Sequence, residues 1–325
     1  EVDAMTGPII GRPKSATFRT ADVVGIDTLV KVAKGVHDNC PSDEAKESFV
    51  IPGWLNKMVE NNWLGDKTGQ GFFKKMPPSP KGEKEIYTLD LKTQEYKPRT
   101  KAKFATVEAA KPIDDLYTRI KMLTAGQDKA GEFYRHFHYG LFSYISHRIP
   151  EISDELYRVD DAMMAGFGWE VGAFESWDVL GVERTVKAMK EAGYKVAAWI
   201  DDMLAAGNKT FYKVEAGKRY SYDPASKSYK PLPGGDAFIV MSNYQDKLVW
   251  KNASCKLFDL GDDVLGLQWF TKMGSIGGDV LSGIQTAIDK AEKSYKGLVI
   301  ANEGTNFSAG ANVGMIFMLA IDQEY

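Results

Sequence analysis

Residues 306–312, Asn-Phe-Ser-Ala-Gly-Ala-Asn, carry the strongest chemical signal in the sequence. A short apolar run ends at Ala301, a turn follows, and this small-residue segment leads into a helical pattern. Backbone N–H groups at such a helix start point outward, where they can hold an anion or a polarised carbonyl oxygen. Small side chains let a ligand approach closely. The segment predicts an oxyanion site, and a tight turn without a ligand is the alternative.

The loop from Gly11 to Arg19, Gly-Arg-Pro-Lys-Ser-Ala-Thr-Phe-Arg, is the second candidate. Its three cations stand beside small hydroxyl side chains, an arrangement that can face a phosphate or a carboxylate. A cationic loop in which Thr17 or Thr20 caps the next helix explains the same residues without a ligand. We therefore expect either ligand contact or helix capping here.

Two further patterns do not predict a site. The stretch from Gly166 to Gly172 nearly spells a dinucleotide fingerprint, but it has one residue too many and follows a helical pattern instead of a strand. His136 and His138 would point about 200° apart on a helix, so they cannot share a metal ion. The four histidines form no evident catalytic triad, although His37 or His147 could act as a general base. No metal site is predicted.

A duplicated module must position these candidates. Residues 17–27 (TFRTADVVGID) and 173–183 (AFESWDVLGVE) share Phe, Asp and Gly at the same spacing. Further pairs follow with a shrinking offset, as small deletions in a second copy would produce. They are Met5 with Met163, Trp54 and Met58 with Trp199 and Met203, 72–74 with 211–213, Tyr87 with Tyr220, Asp90 with Asp223, and 96–98 with 229–231. In the second copy Lys14 and Arg19 become Glu170 and Glu175, which indicates that the copies have specialised.

The hydrophobic pattern predicts a mainly helical chain with small hairpins, followed by the start of an α/β segment. In the first copy Thr20 is expected to open the first helix. The predicted helices cover about 20–33, 53–62, 106–124, 128–148, 151–165, 173–192, 195–206 and 278–295. Hairpins are expected at 85–97, 219–230 and 255–270, with a buried strand at 298–301 and another helix from about 310.

Composition limits the classes of protein. With 325 residues, 44% hydrophobic and 26% charged, the chain resembles an ordinary globular protein of two or three domains. A net charge of −3 gives no reason to expect nucleic acid or anionic membrane as a partner. The longest apolar run, 315–321, is too short to span a membrane. Two cysteines in different modules cannot form a disulfide framework, so a reducing cytoplasm is the expected compartment.

The duplicated modules and the segment after them each resemble a known protein family. Residues 1–110 and 111–235 each resemble the C-terminal helical domain of L-3-hydroxyacyl-CoA dehydrogenases. The resemblance rests on 7–27 with 63–72 in the first copy and on 160–181 in the second. Residues 253–325 resemble the opening of the enoyl-CoA hydratase (crotonase) fold through Leu298 to Asn312. The resemblance implies helical domains at 1–105 and 106–240 and a truncated crotonase-like segment at 250–325.

This combination resembles the fused dehydrogenase–hydratases of bacterial fatty-acid β-oxidation. The family oxidises the 3-hydroxyl group of an acyl-CoA with NAD and hydrates the 2,3 double bond of an enoyl-CoA. The resemblance implies that NAD is bound by a domain absent from this chain, and that a CoA thioester is the substrate. It also implies that this chain is a central fragment cut from something larger, inactive alone, with the missing portions of the same protein and possibly a second copy as partners.

The resemblance also assigns site residues. Ala311 matches the first backbone oxyanion donor of crotonases, with Ala309 and Gly310 beside the path of CoA. Lys272 matches a position that brings a side chain near CoA, although Gly274 replaces the usual Asn. The loop from 11 to 17 matches the segment facing the acyl pocket, which gives Arg12, Pro13, Lys14, Ser15 and Thr17 as substrate-binding residues. His147 stands where an Asn is usual before Arg148, so the second copy is not expected to serve an active site.

Two other functions fit the sequence. The tandem helical domains could form a non-catalytic assembly module that imitates a dimer interface within one chain. Alternatively, the chain could bind CoA independently of catalysis. Strong homodimerisation in light scattering would argue against the internal pseudo-dimer, and the absence of CoA binding in calorimetry would remove the independent CoA binder.

Overall fold

The computed structural model describes residues 1–77, 85–235, 237–303 and 306–322. It contains two compact units: Glu1–Phe211 with Asp223–Lys227, and Tyr212–Tyr222 with Ser228–Tyr325. The predicted predominance of helices with small hairpins is confirmed. Within the described ranges, no helix is both long and apolar enough to cross a membrane.

The first copy consists of four helices and a three-stranded antiparallel sheet. The elements are α1 (Val2–Met5), α2 (Phe18–Val24), α3 (Ile26–Asn39), α4 (Gly53–Glu60), β1 (Phe73–Lys75), β2 (Ile86–Leu89) and β3 (Tyr96–Pro98). Their core contains Ile26, Leu55, Met58, Phe72 and Leu89. The first long helix begins at Phe18, so the predicted start at Thr20 was wrong.

Seven helices follow in the same unit. They are α5 (Ala105–Ala110), α6 (Leu116–Ala125), α7 (Lys129–His147), α8 (Leu156–Phe167), α9 (Ala173–Leu180), α10 (Val182–Glu191) and α11 (Ala198–Ala205). The single helix expected over 106–124 is therefore two helices. The one expected over 173–192 is divided at Gly181, whose φ of +83° ends α9, as Gly25 at +107° ends α2.

Among its described residues, the second unit contains two sheets and two α-helices. A three-stranded sheet has the order β4 (Tyr212–Glu215), β5 (Lys218–Asp223), β6 (Ser228–Pro231). A four-stranded sheet is formed by β7 (Leu248–Lys251), β8 (Cys255–Asp259), β9 (Val264–Trp269) and β10 (Gly297–Ile300). Helix α12 (Gly278–Ser294) leads into β10, which pairs parallel with β9, and α13 (Val313–Ile321) follows. Strand, helix and parallel strand form a βαβ unit.

A carboxylate caps α2 in the first copy and α9 in the second copy in the same way. The Asp3 side chain accepts hydrogen bonds from Phe18 N at 2.7 Å and Arg19 N at 3.0 Å. In the second copy the Asp160 side chain accepts them from Phe174 N at 2.8 Å and Glu175 N at 3.0 Å. These N–H groups have no partner inside the helix, so a carboxylate delivered from an earlier helix satisfies them.

A second aspartate in each copy fixes the entry to the sheet. Asp22 accepts hydrogen bonds from Phe72 N and Phe73 N at 2.7 and 2.9 Å, and Asp178 accepts one from Phe211 N at 2.7 Å. The Asp-x-x-Gly pattern shared by the two copies is therefore structural: the aspartate anchors the sheet, and the glycine ends the helix.

Candidate functional site

A cleft of 560 Å³ opens in the first copy beside the loop that the sequence singled out. Lys14 and Ser15 line it, and their contact with a substrate stays a prediction. The other lining residues come from the starts of α1 and α2, the turn before β1, and the sheet: Asp3, Ala4, Arg19, Asp66, Gly69, Phe73, Lys75, Ile86 and Arg99. The cleft therefore combines four cationic side chains with two carboxylates.

Both carboxylates are already occupied. Asp66 forms a bidentate ion pair with Arg19, with both N–O distances 2.6 Å. This hydrogen-bonded pair lowers the pKa of Asp66. The Asp3 oxygens accept from the backbone at the start of α2. The Asp66 carboxylate also attracts Lys75, but Lys14 and Arg99 have no acid of the cleft as a partner in an ion pair.

Lys14, Lys75 and Arg99 are exposed, and within the described ranges none of them forms an ion pair. The Arg99 guanidinium lies 5.6 Å from the centre of the Phe73 ring. Cations that outnumber the carboxylates on a concave surface produce a positive potential there. The cleft can therefore attract an anionic group.

Arg12 does not line the cleft. Its guanidinium is sandwiched between two rings of the second copy, 3.7 Å from the centroid of Trp169 and 4.4 Å from that of Phe137. Burial lowers the pKa of Arg12 to about 10. Pro13 lies against Gly168, and the Thr17 hydroxyl donates to Thr6 Oγ1 at 2.8 Å. Substrate contact by Arg12, Pro13 and Thr17 stays a prediction. In the structure these three residues pack the loop of residues 11–19 against other parts of the protein.

The second predicted site is a pair of apposed loops in the other unit. Ala309 N donates to Met273 O at 3.0 Å, which places it beside Lys272. Ile276 N donates to Gly310 O, and Asn312 N donates to Ile276 O, both at 2.8 Å. These bonds leave the Ala311 N–H pointing to the other side, and no hydrogen bond among the described residues uses it. A free N–H on an exposed loop is what an oxyanion donor requires.

Close packing explains why a glycine stands at position 274. Gly274 has a φ of +67°, and a Cβ built on it would lie 2.8 Å from Phe307 O. A side chain would therefore push the two loops apart. The carbonyl of Gly274 also accepts a hydrogen bond from Ser308 Oγ at 2.8 Å, so residue 274 helps to hold the loop that contains Ala311 in place.

Each histidine contacts a polar neighbour, and His37 Nδ1 lies 3.1 Å from Oδ1 of the adjacent Asp38. His138 is buried on α7, bonded to Thr124 Oγ1 at 3.2 Å, and His136 contacts the Tyr194 hydroxyl at 3.0 Å. His147 Nδ1 lies 2.9 Å from Ser143 O, one turn earlier. Across the residues that can be described, no group of three or more metal-ligating side chains gathers.

Lys75 and Arg99 were missed by the sequence reasoning. Both follow from the sheet, because β1 and β3 flank β2 and bring residues 24 positions apart to one end of the hairpin. A signal was available: at the positions equivalent by the repeat, the second copy has Val214 and Leu232. Because the second copy has no charge at these two positions, the cations at 75 and 99 are features of the first copy and not of the shared scaffold.

Comparisons with known proteins agree with the resemblance of the first copy. Residues 1–75 match the family described as 3-hydroxyacyl-CoA dehydrogenase, C-terminal domain. All of the cleft-lining residues except Ile86 and Arg99 fall within that match. No solved structure matches the chain.

Similarity to curated proteins extends over the whole chain. It is 41% identical over its full length to a "Probable 3-hydroxyacyl-CoA dehydrogenase" of Bacillus subtilis, covering 40% of that protein. It is 24% identical over 97% of its length to a "Putative fatty acid oxidation complex trifunctional enzyme" of Rickettsia felis, covering 39% of that protein. The chain thus spans about two fifths of the length of these relatives.

Proposed function

We propose that this chain is part of an NAD-dependent L-3-hydroxyacyl-CoA dehydrogenase with enoyl-CoA hydratase, acting in fatty-acid β-oxidation in the cytoplasm. The similarity to the Bacillus protein over all 325 residues carries the proposal, because it includes both helical copies and the βαβ segment. In this account the first copy lines the acyl-CoA site, and the second copy supports it.

The dehydrogenase reaction removes a hydride from C3 of the 3-hydroxyacyl-CoA and a proton from its hydroxyl, which leaves the ketone. NAD accepts the hydride when bound. The described residues do not offer a dinucleotide-binding turn: the glycine-rich segment Gly166–Gly172 links α8 to α9, not a strand to a helix. We infer that another part of the longer protein holds NAD, while this chain holds and orients the acyl-CoA.

The hydratase part of the proposal rests on the Ala311 N–H. An N–H directed at the thioester oxygen stabilises the negative charge that develops when water adds at C3 of the enoyl thioester. Ala311 supplies one such donor from a loop fixed at three points by hydrogen bonds to residues 273 and 276. We expect the second donor and the glutamates that handle the proton to lie in residues beyond this chain.

A direct assay tests whether the NAD site lies outside this chain. The purified 325-residue chain, mixed with NADH and acetoacetyl-CoA, should oxidise no NADH above the rate without protein, since its described residues offer no dinucleotide-binding turn. Absorbance at the NADH band measures the rate. Steady turnover by the chain alone would show that the dinucleotide site lies within these residues.

A further inference from the structure

The cationic cleft is a property of the first copy, not of the shared scaffold. The sheet registers define the equivalent positions. Lys75 pairs with Ile86 as Val214 pairs with Arg219. Arg99 N donates to Ile86 O at 3.1 Å, and Leu232 N donates to Arg219 O at 2.9 Å. Two cations of the cleft are therefore replaced by apolar side chains in the second copy.

The start of α2, which is equivalent to the start of α9, shows the same contrast. The helix caps align Phe18 with Phe174, which makes Arg19 equivalent to Glu175, and the same offset makes Lys14 equivalent to Glu170. All four cations of the cleft are thus absent from the second copy, where two of the positions are acidic. The contrast concerns these four positions, because the second copy has a cation of its own, Arg219, at the place of Ile86.

The cleft also has an apolar wall. Phe73 and Ile86 line it, and Ile86 is 39% exposed although it lies in the central strand of the sheet. A volume of 560 Å³ is in the range of small-molecule sites, which run from about 300 to 1,000 Å³. The cleft therefore offers both charge and apolar surface to one ligand.

We propose that this cleft binds the phosphate end of an organic phosphate, with Lys14, Lys75 and Arg99 contacting the phosphate oxygens. Phe73 and Ile86 pack against the apolar or aromatic part of the ligand. Arg19 does not contact the phosphate directly, because its guanidinium is engaged with both oxygens of Asp66. The inference rests on the proposed function only in the choice of coenzyme A as the first ligand to test.

Calorimetric titration of the 325-residue chain tests the site. The ligands are coenzyme A, 3′,5′-ADP, inorganic phosphate, and pantetheine, which lacks phosphate. The variant Lys14→Glu/Lys75→Val/Arg99→Leu carries the second copy's residues at equivalent positions, so the hairpin is expected to tolerate them. Lys34→Glu, an exposed cation on α3 away from the cleft, is the matched control. Circular dichroism confirms that each variant is folded.

We expect coenzyme A and 3′,5′-ADP to bind and pantetheine not to bind. The triple variant should lose about 100-fold in affinity for both phosphate ligands, since charge-assisted contacts are the strong ones, and Lys34→Glu should bind as the unmodified chain does. Binding should weaken as salt is added. Equal affinity in the triple variant, or absence of binding by either phosphate ligand, overturns the proposal. Inorganic phosphate binding as tightly as coenzyme A contradicts the role of Phe73 and Ile86.

The result separates this proposal from the proposed function. One outcome is that 3′,5′-ADP binding depends on the three cations while the longer protein shows no dehydrogenase activity. That outcome supports the phosphate site and contradicts the proposed dehydrogenase function. A second outcome is that the triple variant of the longer protein keeps its dehydrogenase activity and its ligand binding. That outcome contradicts the proposed role of the cleft and is consistent with the dehydrogenase.

Discussion

Replacing Asp160 with Ala should lower the free energy of unfolding by about 3 kcal/mol, because two backbone N–H groups lose their acceptor inside the protein. The Asp160 side chain is only 3% exposed and bonds Phe174 N and Glu175 N at the start of α9. Gly172 packs directly on this carboxylate, since a Cβ there would lie 2.2 Å from the Asp160 Cγ. Water therefore has little room to replace the lost oxygens.

Urea unfolding followed by tryptophan fluorescence measures this effect. The neighbouring Asp161 provides the control, since it has the same chemistry but is exposed on α8. Asp161→Ala should change the unfolding free energy by less than about 0.5 kcal/mol. Asp160→Asn should fall between the two, because it keeps one acceptor oxygen. Equal stability of the Asp160 and Asp161 variants would show that the cap does not hold α9.

Acidification should destabilise the unit that contains His138. Burial, and then the nearby Arg12 guanidinium, lower the pKa of His138 to about 3 from an ordinary value of 6.5. Between these values only the unfolded chain takes up the proton, so stability is full above pH 6.5 and falls as the pH drops. From about pH 6.5 to 4.5 the loss due to His138 is about 2 kcal/mol.

Unfolding curves of His138→Gln across the same pH range isolate this contribution. The glutamine variant should lose about 2 kcal/mol less than the unmodified chain over that interval. Thr124→Val is the control: it removes the hydrogen bond to the imidazole but leaves the ring buried, so the acid sensitivity should remain. An unchanged pH dependence in His138→Gln would mean that the imidazole is protonated in the folded protein.

The duplication could be recognised from sequence because its spaced residues have structural tasks. Asp22 and Asp178 anchor the sheets, and Gly25 and Gly181 end the helices, so their spacing persists while the surface changes. The residue of the second copy that is equivalent to Asp3 could not be identified from the sequence, because matching Met5 to Met163 would align Asp3 with Asp161. The structure assigns the capping role to Asp160 instead, because hydrogen-bond geometry, not local alignment, selects the residue.

The candidate sites could be predicted only in part. The loop cations were visible as a local cluster, and two residues of that loop, Lys14 and Ser15, do line the cleft. Arg12 belongs to the same cluster but points to Phe137 and Trp169, which are more than 120 residues further along the chain. Tertiary packing alone determines that Arg12 is buried between two rings while the nearby Lys14 lines the cleft. Lys75 and Arg99 become neighbours only when the strands pair.

The contrast between the two copies supports the proposal that the first copy holds the acyl-CoA and the second is scaffold. The decisive measurement is kcat/KM for NADH-dependent reduction of acetoacetyl-CoA by the longer protein, in which we propose that this chain is joined to a dinucleotide-binding domain. Lys14→Glu should reduce kcat/KM about tenfold, as expected for loss of one charge-assisted contact. The reciprocal change in the second copy, Glu170→Lys, should leave it unchanged. Equal effects of the two substitutions, or no effect of Lys14→Glu, would contradict the claim.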